Sequence, residues 1–228
     1  MRPEPQVKYR FMTKPRAVVS WSGGKDCCLA LHRSLSQFDI VGLISTMTED
    51  GLRSRSHGLR ANLLVKQAEV LGMQHFSERS TWDSYEEDFA RLLVRVKALD
   101  VTHAIFGDLY PDAHKEWAEL QCKRQGMVAV EPLWSEPSEK VGRQFLSIGA
   151  SAVIVTVRDE KLDSRFLGRR YSHELIEEFL SMGIDPCGER GEFHTFVSAY
   201  PGFSQEIMTV SCGIHRENGC SALDLSLA

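Results

Sequence analysis

The sequence lacks the marks of several large protein classes. No apolar run approaches the roughly 18 residues that a membrane helix needs, and the Gly-x-x-x-x-Gly-Lys-Ser/Thr spacing of a Walker loop does not occur. Basic charge is not in excess either, because 27 Lys and Arg stand against 31 Asp and Glu, for a net charge of −4. Domains that bind nucleic acid usually carry clustered positive charge. We therefore expect neither a membrane protein, nor a nucleic-acid-binding protein, nor a P-loop enzyme.

Cysteine is also sparse and has no informative spacing. The six cysteines include no Cys-x-x-Cys pair, so neither a zinc site of the usual spacing nor a disulfide framework is indicated. The first residues carry charge but no hydrophobic run of the kind found in secretory signals. We therefore expect free thiols and a cytoplasmic location, with Cys212 and Cys220 as the one pair that could close a short loop.

The overall composition is that of a globular protein: the chain has 228 residues, of which 43% are hydrophobic and 25% are charged. A chain of this length forms one large domain or two small ones. Residues 1–14 are polar and contain prolines, which is typical of a flexible arm. The pattern of strands and helices changes after Trp134, so the predicted domains are residues 15–135 and residues 136–228.

The alternating patterns predict an α/β fold. Ala17-Val18-Val19-Ser20-Trp21 is typical of a buried strand, and it leads into a Gly-rich turn and an apolar helix, as doubly wound α/β units begin. The strand–helix pair occurs four times before Trp134. We therefore expect a Rossmann-like, doubly wound, mostly parallel sheet and a smaller C-terminal α+β domain. Strands are predicted at 17–21, 40–46, 101–106, 128–130 and 152–157, and helices at 58–72, 84–99, 112–125, 138–148 and 172–182. Residues 183–195 are predicted to be irregular, and residues 206–213 to form one edge strand.

The Gly-rich turn, Ser22-Gly23-Gly24-Lys25-Asp26, has the composition of an anion-binding site. Glycines let backbone amides approach a ligand closely, and the N-terminus of the following helix carries about half a positive charge. Ser22 adds a hydroxyl group, and Lys25 adds a full charge. The pattern favours phosphate binding over its alternative, a tight turn in which Asp26 only caps the helix.

The same turn resembles the S-G-G-x-D-S pyrophosphate loop of the N-type ATP pyrophosphatases, within the adenine nucleotide alpha hydrolase (PP-loop) superfamily. The resemblance implies cleavage of ATP between its α and β phosphates and adenylation of a substrate oxygen. The last motif position, usually Ser, is Cys27 in this chain. A thiol is a weak hydrogen-bond donor, so the backbone part of the loop is expected to carry the phosphate contacts.

The C-terminal half carries a second motif. Cys187-Gly188-Glu189-Arg190-Gly191-Glu192-Phe193-His194-Thr195 resembles the C-G-E-x-G-E-[FY]-x-T block of the diphthine–ammonia ligase family. Over residues 16–203, the resemblance is supported by Ser56-His57-Gly58, Gly107-Asp108, Pro132-Leu133-Trp134 and Leu167-Gly168-Arg169. The family implies a ligase that uses ATP and Mg²⁺, adenylates a substrate carboxylate and transfers ammonia, releasing AMP and pyrophosphate. The acid it implies is diphthine, a modified histidine on translation elongation factor 2.

Residue chemistry and the resemblance together indicate the site residues. Carboxylates could orient ammonia, accept its proton or hold Mg²⁺, and the sequence leaves these roles open. The carboxyl edge of a parallel sheet is where α/β proteins bind ligands, which favours Asp108 because it follows a strand. The expected catalytic residues are Asp108, Glu189, Glu192 and His194. The expected nucleotide contacts are Ser20, Ser22, Gly23, Gly24, Lys25, Asp26, Cys27, Thr46, His57 and Gly107. Asp26 is also the expected magnesium ligand.

Two other functions stay open beside the ligase. A tRNA-thiolation enzyme on the same core would need a catalytic cysteine pair and a basic surface, and the net charge of −4 counts against it. A nucleotide-binding module without turnover is favoured only by Cys27 in the loop. The expected partners are ATP, ammonia and a carboxylate substrate, with no nucleic acid and no membrane, and a homodimer is allowed.

Overall fold

The computed structural model describes residues 14–228, so the arm expected over residues 1–14 lies almost wholly outside the described residues. Five parallel strands form the first sheet, in the order β3-β2-β1-β4-β5. They are β1 (Arg16–Ser20), β2 (Asp39–Met47), β3 (Gln74–Arg79), β4 (His103–Ile105) and β5 (Val128–Val130). The strand order reverses between β1 and β4, which places a topological switch point at the carboxyl ends of those two strands.

Helices cover both faces of this sheet, as the doubly wound prediction requires. They are α1 (Lys25–Ser34), α2 (Ala61–Leu71), α3 (Tyr85–Lys97), α4 (Asp112–Arg124) and α5 (Ser138–Ser147). Successive residues of β1 point to opposite faces, so Ala17 and Val19 join one hydrophobic cluster and Val18 joins the other. The first cluster takes apolar residues of α1, α2 and α5, and the second takes those of α3 and α4. The predicted α/β fold is confirmed.

Strand β3 is the one element of this sheet that the sequence patterns did not predict. Its residues, Gln-His-Phe-Ser-Glu-Arg, show no clean alternation, and none of them is fully buried. β3 lies at the edge of the sheet, beside β2 alone. An edge strand needs little apolar surface, so its hydrophobic signal is weak.

The C-terminal part forms a second, antiparallel sheet in the order β7-β6-β9-β8. Its elements are β6 (Ser151–Arg158), a short 3-10 helix (Ser164–Phe166), α6 (His173–Met182), β7 (Phe193–Ala199), β8 (Thr209–Glu217) and β9 (Cys220–Leu227). The irregular stretch expected over 183–195 therefore ends three residues early, because β7 begins at Phe193. None of the helices in the described part of the chain is long and apolar enough to cross a membrane.

The edge strand predicted over residues 206–213 is present as β8, which begins three residues later, extends to Glu217 and lies at the edge of the sheet. The prediction of a single strand is wrong, because β8 pairs with β9 in a hairpin. Its turn is Asn218-Gly219, and both residues have positive φ, at 51° and 74°. Asn-Gly is the strongest short hairpin signal in a sequence, because both turn positions need the left-handed region. Cys212 and Cys220 fall on the two strands of the hairpin and are free thiols, as are the other four cysteines.

Candidate functional site

A cavity of about 550 Å³ opens at the carboxyl edge of the parallel sheet, at the switch point between β1 and β4. The ends of β1, β2 and β4 supply its floor, and the segment 187–195 from the second sheet supplies one wall. Among the predicted site residues, those that line it are Ser20, Ser22, Lys25, Asp26, Cys27, Thr46, His57, Gly107, Asp108, Glu189 and His194. Gly23, Gly24 and Glu192 do not line it.

The Gly-rich turn holds the N-terminus of α1 at the base of this cavity. Gly23 has a φ of +85°, a conformation that favours glycine. Gly24 precedes the first helical residue and provides no side-chain cap. In the first turn, the backbone N–H of Lys25 donates to Thr195 Oγ1 at 3.1 Å, so the amides left for an anion are those that follow it. At the end of β4, a Cβ on Gly107 would lie only 2.7 Å from the backbone nitrogen of Cys27. Gly107 is therefore required for β4 to approach the first turn of α1.

Lys25 and Asp26 form an ion pair in the cavity lining. Lys25 is 2% exposed, and its Nζ donates to Asp26 Oδ2 at 2.7 Å and to the carbonyl oxygen of Cys187. Its ammonium also lies 5.6 Å from the ring centre of Tyr171 and 5.3 Å from that of Phe193. Burial is the largest effect and lowers the pKa of Lys25, but the charge of Asp26, the neighbouring Cys187 and Tyr171 and the hydrogen bond to Asp26 together outweigh it. The pKa is therefore raised and the charge is retained.

Asp26 offers the best oxygen for a metal ion. Its Oδ1 is buried without a hydrogen-bond partner, while Oδ2 is held by Lys25. Burial also raises the pKa of Asp26, which the Lys25 ammonium opposes. Residues 14–228 contain no group of three His, Cys, Asp or Glu side chains that could hold a metal ion. Mg²⁺ usually takes one or two carboxylates and completes its shell with water and substrate phosphates, so the unpartnered Oδ1 fits such an ion.

A stacked histidine pair covers the turn from the other side. The rings of His57 and His194 lie 4.2 Å apart at an angle of 21°. Burial, and the repulsion that two protonated imidazoles would meet, hold the pKa of His57 well below its usual range. Burial and the Lys25 charge lower the pKa of His194 to about 4. Both imidazoles are therefore neutral at physiological pH and act as hydrogen-bonding groups, not as cations.

Acidic side chains gather on the opposite side of the cavity. Glu189 accepts a hydrogen bond from the backbone N–H of Leu109 at 3.3 Å. Burial and the neighbouring charge of Asp26 raise the pKa of Glu189 to about 9. Asp108 accepts from His114 Nδ1 at 3.1 Å, and this hydrogen bond raises the pKa of His114. A protonated or metal-paired Glu189 is the form that this environment favours.

Glu192, which the motif also singles out, lies behind the cavity wall. It is 4% exposed, its Oε1 accepts from the backbone N–H of Asp185 at 3.4 Å, and its Oε2 has no partner. This hydrogen bond ties Glu192 to the start of the loop that carries Glu189. A role for Glu192 in the reaction would therefore be to position that loop.

Sequence reasoning missed the aromatic wall of the cavity. Trp82, Tyr85, Phe89 and Trp117 line the end away from the Gly-rich turn. Tyr85 and Phe89 belong to the apolar stripe of α3, and such a stripe indicates core packing equally well. Trp82 is 69% exposed and lies three residues before the start of α3. An exposed tryptophan is the one signal that could have indicated this wall.

Cys27 is 5% exposed, its Sγ lies 3.1 Å from the carbonyl oxygen of Gly24, and Ser22 Oγ lies 3.5 Å from the same sulfur. Burial raises the pKa of the thiol, which keeps it protonated and unreactive.

A serine in place of Cys27 can make the same contacts. We therefore expect Cys27→Ser to leave AMP formation unchanged or to raise it, in a steady-state assay beside the unmodified chain. A loss beyond about tenfold, roughly 1.4 kcal/mol of barrier, would show that the sulfur itself has a role.

The fold and the site define an α/β nucleotide-binding protein of the PP-loop type. Its parallel sheet has an anion-binding turn after the first strand, and its cavity lies at the switch point. The family model of the diphthamide synthase N-terminal domain matches residues 15–129, and that of the diphthamide synthase C-terminal domain matches residues 137–223. The chain therefore belongs to the diphthamide synthase family.

Curated relatives with the name diphthine–ammonia ligase agree with this assignment. The Schizosaccharomyces pombe protein is 28% identical over 211 residues, which cover 82% of this chain and 35% of that protein. The Danio rerio protein is 27% identical and the Rattus norvegicus protein 24% identical, each over 85% of this chain. The matches cover 86% and 82% of those two relatives. The chain thus spans about a third of the yeast relative and most of the two vertebrate ones.

Proposed function

We propose that this chain is an ATP-dependent amide ligase, which adenylates a carboxylate and transfers ammonia to it, releasing AMP and pyrophosphate. The observation that carries the proposal is the contact between its two motifs. The backbone N–H of Lys25 donates to Thr195 Oγ1 at 3.1 Å, and Lys25 Nζ donates to Cys187. An anion-binding turn and a carboxylate-bearing loop from distant parts of the chain therefore face one cavity.

In the first half-reaction, the substrate carboxylate attacks the α-phosphorus of ATP, and the bond to the β-phosphate oxygen breaks. Residues 22–26 would bind the departing pyrophosphate through backbone amides at the start of α1, other than that of Lys25, and through the hydroxyl of Ser22. Mg²⁺ held by Asp26 Oδ1 would neutralise phosphate charge. Asp26 Oδ2 meanwhile keeps Lys25 in place beside the phosphates. In this scheme the N-terminal domain binds ATP and the C-terminal domain binds the acid.

In the second half-reaction, ammonia attacks the acyl carbon of the adenylate, AMP leaves, and the nitrogen loses a proton. We assign Glu189 as the acceptor of that proton. The base is its ionised form, which the raised pKa makes a stronger base than an ordinary carboxylate and which becomes more abundant as pH rises toward about 9. His194 has a pKa of about 4 and so remains a neutral hydrogen-bonding partner. Asp108, paired with His114, would orient the attacking nitrogen, and Glu192 would position the Glu189 loop.

The acid follows from the family. Relatives carry the name diphthine–ammonia ligase, so we propose a diphthine-like carboxylate, on elongation factor 2 where the organism makes that modification. A tRNA-thiolation role has less support, because burial raises the pKa of Cys27 and Cys28, the two cysteines beside the turn, and disfavours their thiolate forms. A homodimer and a cytoplasmic location stay predictions.

One assay separates the proposed ligase from its alternatives. Pyrophosphate and AMP would be quantified from ATP, Mg²⁺ and ammonium, with and without elongation factor 2 that carries diphthine. The ligase should turn over repeatedly, with pyrophosphate and AMP in equal amounts, only when both the acid and ammonia are present. Without ammonia, it should release at most one pyrophosphate per molecule. Nucleotide binding without any pyrophosphate release would instead support the binding module. Release that needs a sulfur donor and tRNA would support thiolation.

A further inference from the structure

A buried glutamine outside both motifs contacts the anion-binding turn. Gln67 lies on α2 and is 0% exposed, and both the nitrogen and the oxygen of its side-chain amide form hydrogen bonds. Its Nε2 donates to the carbonyl oxygen of Gly23 at 3.0 Å and to that of Val197 at 2.8 Å. Its Oε1 accepts from Trp21 Nε1 at 2.8 Å. The indole N–H can only donate, so it fixes which end of the amide is the oxygen.

The Gly23 carbonyl is held from two directions. Besides Gln67, the backbone N–H of Val197 donates to it at 2.9 Å. In a trans peptide, the C=O and the next N–H point in opposite directions. Fixing the Gly23 oxygen on the α2 and β7 side therefore sends the Gly24 N–H the other way. That N–H does lie near Ser22 Oγ, at 3.4 Å, and Ser22 lines the cavity.

The peptide between Gly23 and Gly24 is the one in the turn most able to flip. Glycine occupies both left-handed and right-handed regions with little cost, and Gly23 has a φ of +85°. In the flipped state, a carbonyl oxygen would replace the Gly24 N–H beside Ser22, the residue that lines the cavity, and would repel an anion bound there. A cluster of aligned amides binds phosphate only if none of its members is reversed.

We infer that Gln67 is a positioning residue that holds the Gly23–Gly24 peptide in its anion-binding orientation. Gln67 does not line the cavity, so it would act through this peptide and not by touching the nucleotide. The inference rests on the proposed binding of ATP phosphates at the turn. It also explains why a polar side chain is retained at a fully buried position of α2, where an apolar residue would pack without needing partners.

The test compares two matched variants by calorimetry with three probes: ATP, inorganic pyrophosphate and adenosine. Gln67→Met keeps length and removes both donors. Gln121→Met is the control, because Gln121 is 1% exposed on α4 and its amide has no partner within residues 14–228. We expect Gln67→Met to weaken ATP and pyrophosphate binding by about 10- to 100-fold, the range for an unsatisfied buried partner. Adenosine affinity should stay within about twofold, and Gln121→Met should bind all three as the unmodified chain does.

Several outcomes would overturn the inference. If Gln67→Met is folded and binds pyrophosphate as tightly as Gln121→Met, Gln67 has no positioning role. If adenosine binding falls in parallel with ATP binding, the effect of Gln67 is general and structural. An unmodified chain that binds neither ATP nor pyrophosphate would contradict the proposed function itself.

A measurement on the unmodified chain covers the case in which Gln67→Met does not fold. In ¹⁵N NMR spectra, pyrophosphate should shift the Gly24 N–H strongly, because that N–H would gain a charged acceptor. The Gln67 side-chain amide should keep its shifts, since its partners do not change. If the chemical shift of the Gly24 amide does not change when pyrophosphate binds, the inference is contradicted.

Discussion

Asp26→Asn should lower AMP formation by about 100-fold or more, the usual effect of losing one charged group from a phosphate-transfer site. Two observations support so large an effect. Asp26 Oδ1 is the unpartnered carboxylate oxygen at the turn, and Oδ2 neutralises the buried Lys25. Asparagine keeps the shape of the side chain but provides only one oxygen and no charge. The measurement is AMP produced per folded molecule, with the folded fraction taken from circular dichroism.

Stability must be followed in the same experiment, because Lys25 loses its counter-charge. Breaking a buried ion pair by removing one partner costs roughly 3–5 kcal/mol, and asparagine, which still accepts a hydrogen bond, should lie at the lower end of that range. Asp88→Asn is the matched control. Asp88 is 2% exposed, accepts from Ser84 Oγ at 2.6 Å and lies outside the cavity. The control should lose stability but keep its activity. If Asp26→Asn keeps more than about a tenth of the activity, Asp26 is not needed for ATP chemistry.

Glu189→Gln should abolish the second half-reaction and yet stabilise the fold. A missing general base typically costs about 100-fold or more in rate. Hydroxylamine is the nucleophile to use, because it is uncharged at neutral pH and its own titration does not distort the profile. With the unmodified chain, hydroxamate formation should rise as pH increases toward about 9, where the Glu189 carboxyl ionises. The variant should show a low, flat profile, while its ATP affinity by calorimetry stays close to normal.

The stability effect follows from the direction of the same pKa shift. Glu189 has its pKa raised from 4.5 to about 9 in the folded protein. Between those values the unfolded chain loses the proton and the folded chain keeps it, so stability falls as pH rises through this window. Glutamine does not titrate and removes that penalty. The gain in melting temperature from Glu189→Gln should therefore be small near about pH 5 and largest near about pH 9. A gain that is equal at both pH values, or a collapse of ATP affinity, would contradict this role for Glu189.

The sequence alone determined those features that depend on neighbours in the chain. A run of apolar residues, two glycines and a helix start predicted β1, the anion-binding turn and α1, since 3.6- and 2-residue periodicities are local. The α/β class and most helix positions followed from the same patterns. The motif at residues 187–195 indicated the family, which the family models then confirmed. The sequence patterns failed at the edge strand β3, because few of its residues are buried and its hydrophobic signal is weak. They also failed to give the C-terminal hairpin, because its turn signal, Asn218-Gly219, was overlooked.

The tertiary structure decided which motif residues face the cavity and what charge they carry. Lys25 and Cys187 are 162 positions apart, and Lys25 and Thr195 are 170 apart, so no spacing rule could place them in contact. Glu189 and Glu192 are equivalent in the motif, yet one lines the cavity and the other holds the loop behind it. A pKa depends on burial and on every nearby charge, and both are set by residues distant in sequence. Gln67 has no motif of its own, and only its three contacts, made in the folded chain, reveal its position beneath the turn.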